Sequence, residues 1–128
     1  MILVMCSRNC PVTYNYARAF HDTMKMPKEL IEFEIVKNTN ALGSCDAMLL
    51  FCDRGTAMAS PAAKEFVGKL KNVPIILMIE GPEKAAFEEN MAELIEKDNI
   101  LLEKIRYSAD DTSNIKEVIK QVKIVLFE

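Results

Sequence analysis

The stretch ILVMCSRNCPVTYNYARAF, residues 2–20, decides how the chain is read. Its opening, ILVMC, is a continuous apolar run of the kind a strand buried on both faces needs. Beyond it, Val12, Tyr16, Ala19, Phe20 and Met24 recur at helical spacing, which predicts a helix over 11–25 packed on a sheet. Pro11 suits the first helical turn, where an N–H has no intrahelical acceptor, and Pro27 stops further extension. A strand that breaks into a loop bearing Ser7, Asn9 and Thr13 at a helix N-terminus is where an α/β protein usually holds a phosphate. Such loops normally carry glycine. Here Cys10 and Pro11 stand instead.

The rest of the chain continues the alternation of strand and helix. IEFEIV (31–36) alternates apolar and polar residues and is expected to be a strand with one polar face, at a sheet edge. NTNALGSC (38–45) is a linker with room for a turn. DAMLLFC (46–52) and VPIILMI (73–79) are two further buried strands. Ser60-Pro61 offers an N-cap followed by proline at the first helical position, and Ala62, Phe66, Val67 and Leu70 share one face of the helix it opens. Glu80-Gly81-Pro82 breaks the next strand and leads to a helix with Phe87, Met91, Leu94 and Ile95 on its apolar stripe. ILLEKIRY (100–107) is a fifth strand. Asp110, Asp111, Thr112 and Ser113 then offer caps and negative charge to a last helix, striped by Ile115, Val118, Ile119, Val122 and Leu126.

Five strands alternating with helices imply a three-layer, doubly wound α/β sheet, parallel and covered on both faces. Its expected order is 2-1-3-4-5, with a ligand crevice at the carboxyl ends of strands 1, 3 and 4, where the winding reverses. No repeat or linker divides the chain, so residues 1–128 are expected to form a single domain.

Composition sets the outer limits. Half of the 128 residues are apolar and 27% are charged, an ordinary globular balance. A net charge of −3 with one histidine offers no basic surface for nucleic acid or an anionic membrane. MILVMC is too short for a signal core or a membrane span, so a cytoplasmic protein is expected. Cys6, Cys10, Cys45 and Cys52 are then expected to stay reduced, and their spacing matches no zinc pattern. No metal is expected.

With these elements in place, the sequence resembles a short-chain flavodoxin over nearly its whole length. SRNCPVTYNYARAF stands where that family has its FMN phosphate loop, of the type S/T-x-T-G-x-T followed by a helix. DAMLLFCDRGTAMASPAAKEFVGKL resembles the family's third strand, flavin-contacting loop and following helix, and NVPIILMIEG resembles its fourth strand. The resemblance places Ser7 on the first motif position, Asn9 on the threonine and Cys10 on the glycine. Val12 takes the final threonine, unless the loop has gained a residue and Thr13 takes it.

The fold implied is flavodoxin-like, the cofactor FMN and the partner a redox protein, in an electron carrier or binding domain rather than a catalyst on its own. The cofactor-binding residues implied are Ser7, Arg8, Asn9, Cys10 and Thr13 in the first loop. After strand three they are Asp53, Arg54, Gly55, Thr56 and Ala57, and after strand four Glu80 and Gly81. Carboxylates of Asp53 and Glu80 beside the ring would lower its potential by like-charge repulsion.

The sequence also departs from the family pattern. Pro11 removes an N–H from a loop whose chemistry rests on such donors, and Cys10 lacks the backbone freedom of glycine. No aromatic residue lies between Asp53 and Ala59, and the loop after strand four is reduced to Glu80-Gly81-Pro82. These losses remove ring contacts and predict weakened cofactor binding. A flavodoxin-fold interaction domain that has lost the cofactor is the alternative.

Other chemistries fit less of the chain. Asp53 ends strand three, where response-regulator receivers carry their phosphorylated aspartate. The acidic residues such a site needs after strand one are replaced by Met5-Cys6-Ser7. Arg54-Gly55-Thr56-Ala57 with Glu65 has a faint likeness to nucleoside deoxyribosyltransferases and the TIR fold, in which a glutamate acts at a glycosidic bond. Glu65 lies over a helical turn beyond that loop and is expected in solvent. Cys10 precedes a helix N-terminus with Arg8 nearby, which favours a thiolate, although an ordinary loop thiol satisfies the same pattern. Cys6 and Cys52 at strand ends read as small core residues, as does Tyr16 on the apolar stripe.

Overall fold

The computed structural model describes residues 1–8, 10–52, 61–81 and 85–127. Five strands, β1 (Ile2–Cys6), β2 (Lys28–Glu32), β3 (Ala47–Phe51), β4 (Pro74–Glu80) and β5 (Ile100–Tyr107), alternate with four helices. These are α1 (Pro11–Thr23), α2 (Pro61–Gly68), α3 (Ala85–Asp98) and α4 (Ile115–Phe127). The strands pair in parallel in the order β2-β1-β3-β4-β5. The apolar runs occupy the middle of this sheet, because only central strands are covered on both faces. Every residue of β1 and β3 is buried, while the edge strands β2 and β5 carry most of the charged positions.

Period-two alternation sends successive side chains of the central strands to opposite layers. On one face Leu3, Met5, Met48, Leu50, Ile75 and Leu77 pack with Phe66 of α2 and with Phe87, Met91 and Ile95 of α3. On the other, Val4, Leu49, Phe51, Ile76 and Met78 pack with Tyr16 and Phe20 of α1 and with Val118, Ile119 and Val122 of α4. Burial of each such large side chain contributes about 1.5–3 kcal/mol. Asn99 ties the opposite, amino-terminal edge together. Its amide donates to the Leu70 carbonyl at 3.1 Å and accepts from the Val73 N–H at 3.0 Å.

Two details differ from the sequence reading, the second strand and the first helix. The strand expected at 31–36 lies at Lys28–Glu32 and gives way to a 3-10 turn at Phe33–Ile35. Pairing explains the shift: β1 offers five residues, Ile2 opposite Lys28 through Cys6 opposite Glu32, and nothing beyond. Phe33 then turns inward and stacks on Phe66 with ring centroids 5.5 Å apart. Helix α1 is rotated from the expected stripe, so that Thr13 and Ala17 are buried with Tyr16 and Phe20 while Val12 is exposed. It ends at Thr23, where the Met24 N–H closes on the Phe20 carbonyl at 3.0 Å. The linker before β3 contains a 3-10 turn, Asn40–Ser44. Before α4, Asp111 caps a further 3-10 turn by accepting the Ser113 N–H at 3.0 Å. No helix among the described residues is long and apolar enough to cross a membrane.

Candidate functional site at the carboxyl edge of the sheet

Because all strands run in parallel, their carboxyl ends and the loops that follow gather on one edge. The chain leaves β1 for the outer strand β2 and then crosses back to β3 on the other side. The crevice of a doubly wound sheet opens at that reversal. Ser7, Arg8 and the start of α1 from Cys10 to Thr13 occupy it.

Ser7 follows β1 directly and is 1% exposed. Its hydroxyl donates to the Glu34 carboxylate in the turn after β2. Arg8 reaches out to the surface, where its guanidinium lies 2.8 Å from the Glu32 carboxylate at the end of β2. The same group donates to the Tyr14 hydroxyl at 3.2 Å and sits 5.1 Å from the centre of that ring. The Tyr14 hydrogen bond first, then the Glu32 charge, raises the Arg8 pKa. Tyr14 therefore faces the loop.

Cys10 is the N-cap of α1, with φ −114° and ψ 97° and no cap bond from its side chain. This is ordinary extended backbone, so Cys10 itself enters the helix without the positive φ for which glycine is needed. Pro11 takes the first helical position, and the first intrahelical bond runs from the Tyr14 N–H to the Cys10 carbonyl at 2.9 Å. The amides of Val12 and Thr13 precede that bond and carry the positive end of the helix dipole. Thr13 itself is fully buried and points inward.

Two tyrosines pack against the start of α1. Tyr107, at the end of β5, stacks on Tyr16 of α1 with centroids 4.4 Å apart. The Thr13 and Tyr107 hydroxyls are both buried and, among the described residues, neither makes a well-formed hydrogen bond. Burial pushes the Tyr107 phenol well above its ordinary pKa, against a smaller opposite effect of the neighbouring Thr13 hydroxyl. Tyr16 is pushed up to about 12, by burial first and by the Asp111 charge second. Its hydroxyl donates to the Asn114 side-chain oxygen at 3.3 Å.

On the far side of the edge, Glu80 ends β4 and Gly81 turns the chain at φ +82°. A left-handed residue here favours glycine. The Gly81 N–H donates to the Tyr107 carbonyl at 2.9 Å. An open cleft of about 380 Å³ is lined there by Gly81, Arg106, Tyr107, Ser108 and Asn114. Arg106 forms an ion pair with Glu88 in the first turn of α3, a carboxylate that is 6% exposed.

The structure thus brings Ser7, Arg8, Cys10 and Thr13 together at one loop and Glu80 with Gly81 at the next. Asn9, Asp53, Arg54, Gly55, Thr56 and Ala57 lie outside the described residues. Glu65 is exposed and pairs with Lys69 at 3.2 Å, as a solvated helix residue does. Cys6 and Cys52 are core residues, and Cys10 is partly exposed. Sequence reasoning missed Glu32 and Glu34 as neighbours of the first loop. Their spacing at the end of a strand next to the reversal was the available signal.

A phosphate at this loop meets a mixed environment. The helix end and two amides suit an anion, but the Ser7 hydroxyl and the Arg8 guanidinium are engaged by carboxylates and Thr13 is turned away. The residues fit the group in part, through backbone rather than side chains.

No family model matches the chain, and no curated protein sequence matches it. Solved structures do. Two-electron reduced flavodoxin from Megasphaera elsdenii superposes with a TM-score of 0.64 at 15% identity, over 94% of this chain and 99% of that one. Oxidised Flavodoxin 1 from Bacillus cereus gives 0.63 at 9% identity, over 97% and 95%. The Trp repressor binding protein from Bacillus subtilis gives 0.62 at 10% identity, over 100% and 98%.

Proposed function

Starting from a flavodoxin-like fold, we propose that this chain is a redox domain that holds FMN with reduced affinity at the carboxyl edge and serves a partner protein in electron transfer. The observation that carries this reading is the delivery of the α1 N-terminus, with the Val12 and Thr13 amides, to the reversal point of the sheet. A helix end in that position attracts an anionic group by dipole and N–H donors together. The cofactor supplies the electron chemistry, and the chain supplies binding and orientation. Glu80 near a bound ring opposes added negative charge and favours a low potential. A net charge of −3 suits docking to a basic partner.

The test is the absorption spectrum of the purified protein, followed by FMN titration read by quenching of flavin fluorescence. Saturable quenching supports the reading. A folded, colourless protein with no saturation at tens of micromolar FMN, roughly −6 to −7 kcal/mol, contradicts it. One observation favours a second reading, a flavodoxin-fold interaction domain without cofactor: the Ser7 hydroxyl and the Arg8 guanidinium are already engaged by Glu34 and Glu32.

A further inference from the structure

We infer that Glu34 and Glu32 set the ligand preference of the first loop, turning it against a phosphate dianion and toward a ligand with an uncharged hydroxylated end. The inference rests on the reading of this edge as a flavin site. Among the described residues of the loop, two side chains are suited to a phosphate, the Ser7 hydroxyl and the Arg8 guanidinium. Each already meets a carboxylate from the β2 end: Glu34 accepts from Ser7, and Glu32 lies 2.8 Å from the Arg8 guanidinium. The two carboxylates therefore supply, from within the chain, the negative charge that an incoming phosphate would otherwise bring.

A phosphate entering beside them has to displace carboxylate from donor, and meets like charge at short range when it does so. Unit charges a few ångströms apart repel by several kcal/mol even at the intermediate dielectric of a protein surface. The remaining hydroxyl in the loop gives no help, since Thr13 is fully buried and lies beside Tyr107. A polyol end carries no such charge, and its hydroxyls can donate to the carboxylates. The chemical class favoured is thus an unphosphorylated flavin or another neutral, hydroxyl-bearing ligand. Glu34 is exposed, so it is open to replacement without a core defect.

The test compares FMN with riboflavin on the full chain, each titrated by fluorescence quenching, for the wild type, Glu34→Gln, Glu32→Gln and the double variant. Circular dichroism and urea midpoints establish that each variant is folded. The expected result is a wild type that binds FMN no better than riboflavin, and a double variant whose FMN affinity rises by about tenfold or more while riboflavin affinity stays within about twofold. Parallel changes for both ligands, or an unchanged FMN to riboflavin ratio, would overturn the inference while leaving the flavin reading standing. A wild type that binds neither ligand, with variants that gain FMN, removes the flavin reading for the native chain and supports the role of the carboxylates. Failure of all four proteins to bind either ligand overturns both.

Discussion

The ring of Tyr107 lies 4.4 Å from that of Tyr16, stacked at 25° between their planes, and so joins the last strand to the first helix under the carboxyl edge. Phe51 packs against Tyr107 at 5.3 Å and Phe20 against Phe51 at 5.4 Å, which extends the contact into the core. Helix α1 therefore starts on an aromatic cluster that it shares with β3 and β5.

Breaking that cluster is costly. Tyr107→Ala should lower stability by about 3–5 kcal/mol, the usual range for deleting a buried aromatic ring. Tyr107→Phe keeps the ring and deletes only a buried hydroxyl that has no well-formed hydrogen bond among the described residues. It should change stability by less than about 1 kcal/mol. Urea denaturation of the two variants checks both values.

Alkali should destabilise the protein through the same pair. Folding raises the Tyr16 pKa from 10.0 to about 12, so between those values the unfolded chain gives up a proton that the folded chain keeps. The stabilising contribution is complete below pH 10 and is lost as the pH rises through about 12. Urea midpoints should fall across this window, and Tyr16→Phe should flatten the fall.

Asn99 holds two buried backbone groups at the amino-terminal edge. Asn99→Ala leaves the Leu70 carbonyl and the Val73 N–H without those partners and should cost about 2–4 kcal/mol. Asn99→Asp retains an acceptor for Val73 but sets a carboxylate oxygen against the Leu70 carbonyl, and should also lower stability. Chemical denaturation at neutral pH orders the three proteins.

Thiol accessibility checks the loop geometry. Cys10 is partly exposed, whereas Cys6, Cys45 and Cys52 are buried. A thiol reagent should label Cys10 first in the native protein and all four cysteines after denaturation. Fast native labelling of Cys6 or Cys52 would contradict the described packing.

Much of the fold was legible because its signals are local. The run at 100–107 marks β5 residue for residue, and Pro11 marks the start of α1. What escaped depended on partners far along the chain. Alternation in IEFEIV reads as a strand, but the length of β1 ends pairing at Glu32, and the attraction of Phe66 turns Phe33 inward. Thr13 is buried in place of Val12 because α1 packs above Tyr107, which no spacing within the helix reveals. The Ser7–Glu34 bond spans 27 residues, and the Arg106–Glu88 pair joins a strand end to a helix start. Neither has a local pattern. The position of the candidate site followed from topology, whereas the pairing of Ser7 with Glu34 and of Arg8 with Glu32 emerged from the packed structure.

The most direct test of the account is an amide chemical-shift map of the 15N-labelled protein during FMN addition. The account predicts saturable shifts centred on Val12, Thr13 and their loop neighbours, with a second group at Gly81. No saturable shift, or shifts confined to the opposite edge around Asn99, would contradict a flavin site at the carboxyl end of this sheet.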